Sequence, residues 1–201
     1  MIALALGLVI STGLLGCSQA PGDAAYRAGH PDNAAALYKK GAEQGDALAA
    51  FKLARLLSAG QVSGETYGKS GPWDVKACEL GHIIGCHNAG VNREYGTGGL
   101  TEDYELARGL YLKAAEGGYG FSQYNLGSMY ANQYFRDDKE GYRWMMIARR
   151  SVAACAAQGD KTCQWVLNDP PGHVKNLAER LSQSDREKIE AAAKSWTPTQ
   201  S

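Results

Sequence analysis

Between Tyr104 and Ala114, apolar residues return every three or four positions: Tyr104, Ala107, Leu110, Tyr111 and Ala114. That spacing lines one face of a helix. The run stops at Gly117-Gly118, and a second apolar set follows at Phe121, Tyr124, Leu126 and Met129-Tyr130 before polar residues resume. Glycine at the break suits the tight, left-handed backbone that ends a helix. The pattern therefore predicts helix, short turn, helix. No stretch alternates with period two, so no sheet is expected.

The same unit recurs along the chain. GAEQGDALAAFKLA, KACELGHIIGCHNAG, KAAEGGYGFSQYNLG and CAAQGDKTCQWVLN align on Gly45, Gly81, Gly118 and Gly159, at spacings of 36, 37 and 41 residues. Six residues after each glycine stand Phe51, His87, Tyr124 and Trp165; eight after stand Leu53, Ala89, Leu126 and Leu167. Nine after come Ala54, Gly90, Gly127 and Asn168, small enough for close helix contact. A large and a small residue at fixed offsets is what interlocking helices need. A single helix pair cannot bury its apolar face, and stacking neighbours can. The expected fold is all-α: a right-handed α-solenoid of about four helix-turn-helix repeats with a C-terminal capping helix pair.

KAAEGGYGFSQYNLGSMY and YKKGAEQGDALAAFKLA resemble the Sel-one-like repeat, a relative of the tetratricopeptide repeat. GTGGLTED, residues 96–103, resembles that family's glycine-rich connection between repeats. The expected organisation is repeats over 31–62, 70–100, 101–136 and 137–169, the fourth with a lengthened first helix. Residues 170–201 would then form the cap, with Leu177, Leu181, Ile189 and Ala193 as its apolar stripe and Ser184 with Glu187 as a capping box.

The chain opens on an apolar run from Ile2 to Ile10 that closes at Leu14-Leu15-Gly16-Cys17. The run is shorter than the roughly 18 apolar residues of a spanning helix. LLGC resembles the lipobox of bacterial lipoproteins. The resemblance implies a signal peptide over 1–16, lipidation of Cys17 and a linker over 17–30. Ser18 after the cysteine implies an outer-membrane destination and a periplasmic protein.

Charge narrows the partners. There are 21 basic and 21 acidic residues with no long run of one sign, which argues against nucleic acid as a partner. Membrane contact would come through the N-terminal lipid alone.

With Cys17 lipidated, four cysteines remain, in two pairs each eight residues apart: Cys78 with Cys86, and Cys155 with Cys163. On one straight helix that separation spans roughly 12 Å, beyond the about 4.4–6.8 Å between Cα atoms that a disulfide needs. Across a turn between antiparallel helices it closes. Cys78, His82, Cys86 and His87 also offer a zinc-type ligand set. The second pair has no histidine nearby, so one explanation for both pairs is the disulfide, and no metal is expected. ACELGHIIGC also resembles the cysteine-rich subset of the family, in which such pairs bridge the two helices of a unit.

Reactive arrangements are missing: no Gly-x-Ser-x-Gly, Ser-x-x-Lys or His-Glu-x-x-His occurs. Glu102, Asp103 and Glu105 stand at a helix start, where carboxylates favour the dipole. No catalytic residue and no cofactor is assigned, and surface remains. Tyr67 and Trp73, in the insertion at 60–73, are candidate partner-binding residues, with Trp73 equally readable as a staple for the next helix. Trp144 and Arg149 are candidates of the hot-spot type, although Trp144 at helical spacing also reads as core. The function expected is a non-catalytic adaptor or regulator that binds another protein. The family resemblance adds a sharper alternative, an immunity protein neutralising a secreted effector such as a phospholipase. A cell-wall or beta-lactam hydrolase would need a nucleophile that the sequence does not offer.

Overall fold

The computed structural model describes residues 20–64, 69–132 and 135–199, and every regular element among them is a helix. A short α1 (Asp23–Arg27) precedes four hairpins. These pair α2 (Pro31–Glu43) with α3 (Ala47–Ser58), α4 (Gly71–Glu79) with α5 (Ile83–Tyr95), and α6 (Tyr104–Glu116) with α7 (Gly120–Ala131). The fourth runs α8 (Asp138–Ser151), α9 (Ala153–Ala157) and α10 (Lys161–Asn168). Finally α11 (His173–Arg180) and α12 (Gln183–Ser195) both pack on α8. From α1 to α8 each helix packs on the next, an α-solenoid.

One turn design closes all four hairpins. Gly45, Gly81, Gly118 and Gly159 have φ of 93°, 93°, 91° and 89°, the left-handed region that side chains other than glycine's resist. Around Gly45, the Asp46 N–H donates to Gly41 O and the Gly45 N–H to Ala42 O; the other turns repeat both bonds. This is a Schellman ending, which satisfies the carbonyls left over by the first helix. The next residue then caps the second helix: Asp46, His82 and Asp160 accept from the N–H of Ala49, Gly85 and Cys163. Tyr119 makes no such side-chain bond.

The small positions let helices of neighbouring hairpins touch. A Cβ on Gly90 would stand 2.7 Å from the Tyr111 ring, and one on Gly127 2.9 Å from Met145 Cγ. Ala54, Ala89 and Leu126 are fully buried or nearly so.

The fourth hairpin departs from the pattern. Its long first helix is interrupted at Val152, a β-branched residue buried against Gly120 at the start of α7. Trp165, expected in the packed aromatic column, is 46% exposed, because no further hairpin follows to cover it. Instead the chain turns back. Leu177 and Ala193 are buried in the cores that α8 shares. The cap of α12 lies two residues earlier than expected: Ser182, not Ser184, accepts from the Asp185 N–H and returns a bond to its carboxylate. Beyond α12, Trp196 meets Trp144 edge-on at 6.1 Å, and Thr199 N–H donates to Glu116 O at 2.9 Å.

Candidate functional site

The stretch around Gly81 is a covalently closed helix turn. Cys78 and Cys86 form a disulfide with Cα atoms 4.4 Å apart, and Cys155 and Cys163 form a second with Cα atoms 6.0 Å apart. Neither pair therefore offers thiolates to a metal. His82 is spent as well, since its Nδ1 accepts from the Gly85 N–H and its ring stacks on Phe51 at 4.2 Å.

His87 sits deeper. It packs against Tyr119 at 4.9 Å and Tyr111 at 5.8 Å, and its Nδ1 lies 2.9 Å from Ser122 Oγ. Sequence reading missed this serine–histidine pair, because its members lie 35 residues apart on different hairpins. Its chemistry is poor. Ser122 is fully buried, and burial depresses the imidazole to about 4, so the ring is a weak base at neutral pH. The pair ties α5 to α7.

Asp74 on α4 is 3% exposed. Asn88 Nδ2 donates to its Oδ1 at 3.2 Å and Asn92 Nδ2 to its Oδ2 at 3.1 Å. Burial pushes this carboxyl up to about 7, and the two amides only partly offset it. Asn92 continues the network by accepting from Thr97 Oγ1 in the glycine-rich connection. In that connection Asp103 caps α6 through the Leu106 N–H, while Glu105 pairs with Arg108. Asp103 and Glu105 thus serve the helix start.

A depression of about 710 Å³ lies between the first two hairpins and is walled in part by Trp73. This ring is half-buried, packing on the first hairpin's core and on the Ala42, Ala50 and Ala77 cluster where the two hairpins meet, so the staple and the ring facing the depression are one residue. Beside α1, a smaller depression of about 370 Å³ holds a polar network. There Lys52 Nζ lies 2.6 Å from both Asp23 oxygens and Tyr38 OH donates to Asp23 at 2.7 Å. The hydrogen bond from Lys52 is the largest influence holding the Asp23 carboxyl below its ordinary value.

The other candidates fare differently. Trp144 is 2% exposed, enclosed by α12 and Trp196, so it serves the core and cannot meet a partner. Only Arg149 of that helix candidate pair is exposed. Tyr67 and Cys17 lie outside the described residues.

The Sel1 repeat family model matches residues 31–46, 83–119 and 120–148. Its unit is offset by half a hairpin from the helix pairs, with 83–119 running from α5 through the turn after α6. A Sel1 repeat protein from Oxalobacter formigenes is 21% identical, with a TM-score of 0.56 over 85% of this chain and 69% of that one. A protective antigen present in uropathogenic Escherichia coli strains, displaying an SLR fold, is 25% identical, with a TM-score of 0.55 over 81% of this chain. The chain spans 33% of that antigen's length. No curated protein matches in sequence. Tandem family matches, hairpins with one turn design and two solenoid neighbours agree: this chain carries Sel1 repeats, stacked as a helical-repeat array.

Proposed function

We propose that this chain is a lipid-anchored periplasmic protein that acts by binding another protein through its repeat surface, without catalysis. The stack itself carries the reading: hairpins in register, two of them closed covalently, hold a fixed, extended surface with the Trp73 depression set in it. Repeat solenoids bind through surfaces of this kind. The two disulfides support export, because such bridges persist in oxidising compartments and are rare in the cytosol. Export in turn supports Cys17 as the lipidated residue of an outer-membrane anchor. The partner is an envelope protein that the chain scaffolds or regulates. Neutralising a secreted effector would be the same binding act with another partner.

The test uses the tagged full-length protein, crosslinked in its own host and purified. One other protein is expected in defined stoichiometry, and Cys17→Ser is expected to release the chain from the membrane fraction. Recovery of the chain alone, beside turnover of a cell-wall or beta-lactam substrate by the purified protein, overturns the binding reading. Unchanged fractionation of Cys17→Ser overturns the anchor.

A further inference from the structure

The depression between the first two hairpins has a built floor. Leu53 and Leu57 on α3 are 4% and 5% exposed and belong to the core of the first hairpin, and Val62 packs beside them. Trp73 supplies a fixed wall, since it rests on the first hairpin's core and on the cluster that joins the two hairpins. An aromatic ring already immobilised presents contact area at little further cost in conformational entropy, which is why tryptophan dominates binding hot spots.

The rim differs in character. Lys39 on α2 and Lys69 just before α4 are exposed, and among the described residues neither makes an ion pair or side-chain hydrogen bond. Among the described residues that line the depression the one carboxylate, Asp32, is already engaged, its Oδ1 accepting from the Ser63 N–H at 2.7 Å. Two unpaired cations against one engaged carboxylate, among the described residues, give this rim a positive bias. At about 710 Å³ the space falls in the range of ordinary ligand clefts, about 300–1,000 Å³, and exceeds what one side chain fills.

We propose that the Trp73 depression is the partner's docking site, taking an aromatic or branched aliphatic side chain from a segment in which acidic residues neighbour that anchor. The apolar anchor lies on Leu53, Leu57 and Trp73, and the flanking carboxylates meet Lys39 and Lys69. Charge pairing at an exposed rim steers association and excludes basic segments more than it adds affinity. The proposal rests on the reading of the chain as a protein-binding scaffold and adds to it a place and a chemistry.

Selection of a random dodecapeptide display library on the purified, oxidised full-length protein tests this. Enriched peptides are expected to carry Phe, Trp, Leu or Ile beside Asp or Glu. Resynthesised, they should bind about ten-fold or more weakly to Trp73→Ala and to Lys39→Glu/Lys69→Glu, and more weakly as salt rises. The lysine variant touches no core residue, so it decides the matter even if Trp73→Ala fails to fold. Basic or neutral consensus peptides, or peptides that bind the lysine variant as tightly, overturn the proposal. An empty selection also overturns it. These outcomes leave the partner reading to the crosslinking experiment, which tests it independently of any site.

Discussion

The second and fourth hairpins carry the same bridge over the same eight-residue separation, yet the two bridges face opposite neighbours. Cys78 and Cys86 stand three before and five after Gly81; Cys155 and Cys163 stand four before and four after Gly159. One position on a helix is a rotation of roughly 100°. In the second hairpin the bridge consequently looks forward, packing on Ala114, Leu110 and Tyr119 of the next pair, and Lys113 Nζ donates to Cys78 O at 2.7 Å. In the fourth it looks backward, with Cys163 joining Tyr124 of the preceding pair. A bridge within the array can pack on the hairpin after it. At the end of the array only the hairpin before it is there to pack on, and α11 and α12 fold back to finish that core.

The two bridges close loops of equal length, so the entropic constraint on the unfolded chain is the same for both. Any difference in the cost of removing them therefore reports native packing. Cys78→Ala/Cys86→Ala is expected to cost about 2–5 kcal/mol. Cys155→Ala/Cys163→Ala is expected to cost less, because Cys155 is only half-buried while both partners of the first bridge are buried. Urea titrations of the two double variants make the comparison, and equal costs would show that packing adds nothing.

Gly90 and Asn168 occupy the same register in these two hairpins. Gly90→Ala forces a Cβ to 2.7 Å from the Tyr111 ring and is expected to cost about 1–3 kcal/mol through overpacking. Asn168, exposed with no hairpin beyond it, should accept alanine within about 0.5 kcal/mol. Thermal unfolding of both variants would expose a register error if their costs were reversed.

Between pH 4 and 8 the largest pH dependence belongs to the second hairpin and has two opposed parts. His87 titrates at about 4 when folded against 6.5 when free, so its contribution is lost as pH falls from about 6.5 to about 4. Asp74, raised by burial to about 7 from 3.8, contributes fully below about 3.8 and loses that contribution as pH rises to about 7. Across pH 4–8 the acid-side fall in the denaturation midpoint should flatten in His87→Phe, and the fall with rising pH should flatten in Asp74→Asn, with smaller parts left to His82 and Glu94. A wild-type slope retained in either variant contradicts the assignment. Ser182→Ala is expected to cost about 1 kcal/mol from the lost cap, with Ser184→Ala near zero; the opposite order would restore the later start of α12.

What the sequence made legible was periodic. The four turn glycines, the small residues facing Tyr111 and Met145, and the closure of cysteines across a turn all follow from offsets counted along the chain. What it hid was long-range or terminal. Trp144 satisfies a core pattern and a hot-spot pattern equally, and only the return of α12 and Trp196 decides between them. The His87–Ser122 and Asp74–Asn88–Asn92 contacts join helices at separations no local pattern specifies. Trp165 fits its column in register but lacks the neighbour that would cover it. At Trp73 both sequence readings hold, because a ring that staples two hairpins also faces the depression between them.

The binding account is met most directly by site-specific photo-crosslinking of the full-length protein in cells, with the reactive residue at Lys39 beside Trp73 or at Lys161 in the last hairpin. A single protein adduct from position 39 and none from position 161 is the predicted result. Equal adducts from both positions, or no protein adduct from either, would contradict it.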